Sequence, residues 1–183
     1  MIYGDRIRFR AIEREDLPRF VNWLNDPEVR ENLALYLPLS MSHEESWFEN
    51  MLKRPQEEQP MSIEIKQEGV WKPIGNCGYF NLDWRCRSGE VGIFIGEKQL
   101  WNQGYGTEAI RLLVRHGFET LNLNRISLEV FESNPRAVRC YEKAGFSAEG
   151  RKRQGMYKDG EYIDIILMSI LRQEWVGSDA GTT

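Results

Sequence analysis

The stretch from Gly92 to Leu113, GIFIGEKQLWNQGYGTEAIRLL, constrains the fold more than any other part of the chain. Val91, Ile93 and Ile95 alternate with Glu90, Gly92 and Phe94, which predicts a strand over Glu90 to Ile95. Ala109, Leu112, Leu113, His116 and Gly117 then fall at helical spacing and predict a helix over Gly104 to Thr120. Trp101-Asn102-Gln103-Gly104-Tyr105-Gly106-Thr107 joins the two. Glycines at a strand-to-helix junction let a ligand come close to the backbone. The unpaired N–H groups of the first helical turn, together with the helix dipole, favour an anion such as a pyrophosphate. A plain tight turn fits the same Gly-x-Gly. The third glycine and distant acid of a dinucleotide fingerprint are missing, and no Gly-Lys-Ser/Thr follows.

The segments on either side supply the scaffold. Ile7, Phe9 and Ala11 share one face of a strand predicted over Arg6 to Ile12. Leu17, Phe20, Val21 and Leu24 predict a helix over Glu15 to Asn25, with Pro18 near its start and Asn25-Asp26-Pro27 as a stop. Ser42-His43-Glu44-Glu45 matches a capping box, so a second helix is expected there, with Trp47, Phe48, Met51 and Leu52 as its core face. Between these helices, Leu35, Tyr36, Leu37 and Leu39 either plug a core edge or line a substrate groove.

Strands are expected over Met61 to Gln67 and Trp71 to Leu82. The second is interrupted by Gly75 and Gly78, which signal a bulge or a close backbone approach. Ile126, Leu128 and Val130 mark a strand over Asn124 to Phe131. Pro135 to Ala144 reads as a short helix capped by Asn134 and ended by Gly145. Phe146 to Met156 and Tyr162 to Leu171 read as strands joined through a Lys158-Asp159-Gly160 turn. The order β-α-α-β-β-β-α-β-α-β-β, without repeat or linker, gives an α+β fold: one domain over residues 1–175 around a mixed central sheet, with a disordered tail at 176–183.

A net charge of −4 over 183 residues argues against nucleic acid or an anionic membrane surface as a partner. No run approaches the ~18 apolar residues of a membrane span. The first ten residues are already charged and alternating, so a cytoplasmic location is expected. Cys77, Cys86 and Cys140 match no zinc pattern. His43 and His116 read as surface residues. Asp26, Glu28, Glu31, Glu44, Glu45 and Glu49 form either a solvated acidic face or an attractor for a cation.

Ser133-Asn134-Pro135-Arg136-Ala137-Val138-Arg139-Cys140-Tyr141-Glu142-Lys143-Ala144-Gly145-Phe146 follows a predicted strand. Together with Gln-Gly-Tyr-Gly-Thr-Glu-Ala upstream, this segment resembles the GNAT superfamily of acetyl-CoA-dependent N-acetyltransferases. The opening Ile-Arg-Phe-Arg…Trp-Leu-Asn-Asp-Pro-Glu-Val and the closing Tyr-Lys-Asp-Gly-Glu-Tyr-Ile-Asp resemble the branch that acetylates N-termini of ribosomal proteins. The likeness covers roughly residues 6 to 171.

The resemblance implies acetyl-CoA as cosubstrate, no metal, and direct attack by a primary amine without an acetyl-enzyme on Cys140. It implies a pantetheine arm held by backbone groups of Ile93, Phe94 and Ile95, with an oxyanion donor near Ile93 or Phe94. It further implies a pyrophosphate on Asn102, Gln103, Gly104, Tyr105, Gly106 and Thr107. Trp101 departs from the Gln or Arg that opens the family's turn. Asn134 is a cofactor contact, a helix cap, or both. Ala137 lies one turn from Tyr141 and leaves room for the thiol. Tyr141 is the expected general acid, since a departing thiolate needs a proton; a packed aromatic is its structural alternative. Glu90 is either the base that deprotonates the amine or a solvated strand residue. The expected acceptor is a protein N-terminus, with a polyamine or an amino sugar as alternatives. A non-catalytic acyl-CoA-binding sensor or an interaction domain is the reading from another class. The resemblance leaves room for a homodimer.

Overall fold

The computed structural model describes residues 1–175, so the expected tail at 176–183 lies outside the described residues. The chain divides into two compact units, Met1–Tyr79 with Gly92–Ala109, and Phe80–Val91 with Ile110 onward. The described residues build eight strands and five α-helices with mixed strand pairing, the expected α+β class.

In the first unit, β1 (Ile2–Tyr3), β2 (Ile7–Ala11), β3 (Met61–Gln67) and the first part of β4 (Val70–Asp83) pair antiparallel in that order. The alternation read from Arg6 to Ile12 holds for Ile7 and Phe9, which are fully buried, whereas Ala11 is exposed and Ile12 takes the inward place. The outer face of β2 carries arginines that serve two buried acids. Glu64 accepts from Arg8 Nε and Arg10 Nε, both at 2.7 Å, and Asp16 takes the Arg10 fork at 2.7 and 2.8 Å. Each buried carboxylate is thus paired and hydrogen-bonded, the condition under which burial of a charge is tolerated.

Helix α1 (Leu17–Asn25) starts with Pro18 in its first turn, after a 3-10 turn at Arg14–Asp16. The Asn25-Asp26-Pro27 stop ends α1 and also starts a four-residue helix, α2 (Pro27–Arg30). The Asp26 side chain caps α2 by accepting from the Glu28 and Val29 amides. So short a helix has no hydrophobic period to announce it.

Helix α3 (Met41–Met51) is capped two residues before the expected cap. Ser40, not Ser42, is extended (φ −96, ψ 161), and its Oγ accepts from His43 N at 3.2 Å. Phe20, Trp23, Val29, Phe48 and Met51 form the local core with Leu33, Trp47, Phe94 and Trp101 packed against it. Leu52 is left exposed. Tyr36 and Leu37 are 59% and 76% exposed, so they do not plug a core edge. His43 is exposed, as expected.

Glu44 is only 4% exposed on α3, and burial raises its pKa above 4.5. Its folded-state carboxyl therefore keeps its proton to higher pH than the unfolded chain does. That contribution to stability is complete below the ordinary value and is lost as pH rises through the raised one. Glu44→Gln is expected to melt higher than wild type at pH 7, because the variant carries no charge to bury. The gap should close near pH 4. Thermal melts across pH test this, and a less stable variant at pH 7 would show that the ionised carboxylate is needed.

In the second unit, the first part of β5 (Ser88–Ile95) pairs parallel with β6 (Arg125–Phe131). Strand β8 (Glu161–Leu171) pairs antiparallel with β6 on one side and with β7 (Ser147–Lys158) on the other. Ile126, Leu128 and Val130 are buried, as their alternation requires. The hairpin turn has Asp159 and Gly160 both at positive φ (+51 and +91), the geometry that matches strand twist in a two-residue connection.

Helix α4 (Tyr105–Glu119) belongs to the first unit up to Ala109 and to the second from Ile110. Ile110, Leu113 and Phe118 are fully buried. His116 is half-buried, not a surface residue, and burial lowers its pKa. Helix α5 (Pro135–Lys143) has Asn134 as its cap. No helix among the described residues is long and apolar enough to cross a membrane.

Candidate active site

In the first unit, the end of β5 and the start of α4 are built against each other. Gly75 of β4 lies under β5 so closely that a Cβ there would sit 2.1 Å from the Phe94 carbonyl oxygen. This is the close approach that the strand glycine signalled; a side chain would push β5 away. Beyond Ile95, the amides of Gly96 and Glu97 both donate to Ile74 O, at 2.8 and 3.2 Å. Trp23 covers Gly96 and meets Phe94 edge-on at 6.2 Å.

After a 3-10 turn at Lys98–Leu100, the Trp101 indole Nε1 donates to Ile95 O at 2.8 Å. Where the family's turn opens on a Gln or Arg, Trp101 thus ties the turn back to the strand. Asn102 (φ +62) and Gly104 (φ +86) reverse the chain. Gly104 occupies a left-handed conformation that suits glycine, and within 4 Å of a Cβ built on it lies only Arg6 Nη2, at 3.3 Å. The space beside the turn is bounded there by the Arg6 guanidinium alone. Gln103 Nε2 donates to Gln99 O at 2.6 Å, and Glu108 N bonds Gly104 O at 3.0 Å. The amides of Tyr105, Gly106 and Thr107 stand in the first turn of a 15-residue helix, where the helix itself provides no acceptor. An open, glycine-lined turn at a helix N-terminus fits a pyrophosphate.

The second unit holds the other candidates. Glu90 is half-buried on β5, opposite Ser127 of β6, and its Oε1 accepts from Asn81 Nδ2 at 3.2 Å. Asn134 Oδ1 accepts from Ala137 N at 3.1 Å, so the capping role is realised. Ala137 and Tyr141 stand one turn apart on α5. Tyr141 is 8% exposed and packs on Phe146, with ring centroids 6.1 Å apart. Burial drives its hydroxyl pKa well above the ordinary 10.0, with the neighbouring Cys140 adding in the same direction. The phenol is therefore protonated throughout the neutral range, the form a proton donor needs. Cys140 is half-buried, while Cys77 is buried and Cys86 exposed; none of the three is in a disulfide.

Within the first unit the structure brings Ile93, Phe94 and Ile95 together with Asn102 to Thr107 through the Trp101–Ile95 bond. Within the second it sets Glu90 on β5 and Asn134, Ala137 and Tyr141 on one short helix. The family model described as an acetyltransferase (GNAT) domain matches residues 6–147. The chain belongs to the GNAT acetyltransferases. It is an acetyl-CoA-dependent N-acetyltransferase.

Curated relatives and solved structures agree over nearly the whole length. The chain is 29% identical over 178 residues to an uncharacterized N-acetyltransferase, p20, of Bacillus licheniformis, covering 96% of this chain and 98% of the relative. It is 27% identical to YdaF of Bacillus subtilis, a putative ribosomal N-acetyltransferase, covering 95% and 96%. Among solved structures, spermidine N-acetyltransferase from Vibrio cholerae in complex with CoA and spermine is 27% identical. It superposes with a TM-score of 0.83 over 92% of this chain and 97% of the other.

Arg6 carried no sequence signal for its place beside the α4 turn. Its side chain reaches Glu108 and Gln103 in the α4 turn, about one hundred residues away, and no local pattern marks such a pair.

Proposed function

We propose that this GNAT enzyme acetylates a primary amine of an aliphatic polyamine, with a protein N-terminus as the second acceptor class. The observation that supports the first is the full-length likeness to the Vibrio cholerae enzyme solved with CoA and spermine. The likeness to YdaF, named as a putative ribosomal N-acetyltransferase, favours the second.

The acidic residues of the early helices give the polyamine reading limited help. Asp26 and Glu28 are held by Lys98 at 2.8 and 2.9 Å, Glu49 by Arg14, and Glu44 is buried. Glu31 and Glu45 are the exposed, unpaired members of that group among the described residues. Recognition of a cation therefore needs carboxylates beyond those four.

Acetyl-CoA supplies the acyl group and the thiolate that leaves. The amides of Gly104 to Thr107 hold its pyrophosphate, and the backbone of Ile93 and Phe94 holds the pantetheine arm and the carbonyl oxygen. Trp101 already occupies the Ile95 carbonyl. Glu90, oriented by Asn81, takes a proton from the incoming ammonium directly or through a water. The amine nitrogen forms the C–N bond as the C–S bond breaks, and Tyr141 gives its proton to the departing sulfur and regains one, through water, from the acylated nitrogen. Nothing in this scheme needs Cys140 to become acylated.

CoA release measured with spermidine, spermine, N-terminal peptides and amino sugars tests the acceptor. The expected result is a kcat/KM for a polyamine at least about tenfold above that of any peptide, the spread set by one good hydrogen-bonded contact. A peptide as the best acceptor would overturn the polyamine reading. Tight acetyl-CoA binding with no turnover on any amine would overturn both.

A further inference from the structure

We propose that Arg6 is a positioning residue for acetyl-CoA, holding the phosphate-binding turn in shape and cancelling the charge of Glu108 beside it. The inference rests on the reading of the Gly104 turn as the pyrophosphate cradle. Arg6 makes four contacts there. Its amide donates to Glu108 Oε1 at 2.7 Å and its Nε to Glu108 Oε2 at 2.8 Å. Its Nη1 donates to Gln103 O at 3.2 Å, and its guanidinium carbon lies 4.4 Å from the centroid of the Tyr105 ring. Both the last residue before Gly104 and the first after it are therefore fixed by one side chain.

Nη2 is the guanidinium nitrogen that these hydrogen bonds leave over, and it lies beside Gly104. Glu108 sits in the first turn of α4, where a carboxylate gains from the helix dipole but would repel a phosphate. Arg6 answers both needs: it neutralises Glu108 and keeps donors on the side where the anion would bind. Trp101 offers the turn no such donor, because its indole N–H is spent on Ile95 O.

A test compares two acetyl donors, acetyl-CoA and S-acetylpantetheine, which lacks the pyrophosphate. Arg6→Gln should lower kcat/KM for acetyl-CoA about tenfold, through KM, the scale of one lost charge-assisted hydrogen bond. It should change kcat/KM for S-acetylpantetheine less than about twofold. Adding Glu108→Gln should recover part of the loss by removing the exposed charge, and Arg6→Lys should recover less than the native residue. Because Arg6 is half-exposed, the gap should shrink in high salt.

An equal loss for both donors would mean that Arg6 only maintains the fold, and no loss for either would remove it from the site. Gly104→Val separates the two layers of the argument. If that variant weakens acetyl-CoA binding while Arg6→Gln does not, the positioning role fails and the cradle stands. If Gly104→Val leaves binding intact, the cradle itself is elsewhere.

Discussion

Tyr141→Phe is expected to lower kcat by about 10²- to 10⁴-fold, the range for loss of a positioned proton donor. The Kd for acetyl-CoA should stay within about twofold, because the backbone contacts assigned to the cofactor do not involve this hydroxyl. The variant keeps the ring that packs on Phe146, so the fold around α5 should survive. The direction of the pKa fixes a second observable. Burial pushes the phenol above its ordinary 10.0, so Tyr141 adds no fall in kcat as pH rises through the neutral range towards 10. A decline on the acid side should instead report the base and the acceptor amine. Steady-state rates of both proteins across pH, with the best acceptor at saturation, check this. A loss of less than about threefold in kcat would remove the tyrosine from the chemistry and leave it as a packed aromatic.

What was legible follows from how local each signal is. Strand periodicity is local, so Ile7 and Phe9, and Ile126, Leu128 and Val130, fall inside as their alternation requires. Caps and turns are also local. Asn134 caps α5, and the chain reverses at Asp159-Gly160, because each sets its own backbone geometry within a few residues. The helix at Ser40 shows the limit. Ser42 has the Glu three residues on that a capping box requires, yet the backbone angles put Ser40 outside the helix. The apolar loop was left open for a related reason: hydrophobicity alone does not say that Tyr36 and Leu37 are exposed while Leu35 and Leu39 are half-buried. At the candidate site, glycine spacing marked the turn before α4 and the α5 motif marked a capped helix, both of which are present. Trp101 read as a lost polar contact, and its bond to Ile95 O became visible only once the strand end and the turn were placed side by side. The Arg6–Glu108 pair is 102 residues apart and had no sequence signal at all.

Gly104→Val is expected to raise the acetyl-CoA Kd at least about tenfold, through loss of access to the first-turn amides of α4. Two effects combine at this residue. Valine is disfavoured at φ +86, at a cost of about 1–3 kcal/mol, and its side chain would crowd the Arg6 guanidinium, 3.3 Å from a Cβ built there, and enter the space beside the turn. The first lowers stability, and only the second should block a ligand. Gly160→Val isolates the first, since Gly160 has φ +91 in the β7–β8 hairpin and nothing lies within 4 Å of a Cβ built there. Both variants should melt below wild type by a comparable margin, while the Kd should rise in Gly104→Val alone. Calorimetric titration with acetyl-CoA, paired with thermal melts, decides the matter. If the affinity of Gly104→Val equals that of Gly160→Val in an intact fold, the α4 turn is an ordinary tight turn and the pyrophosphate binds elsewhere.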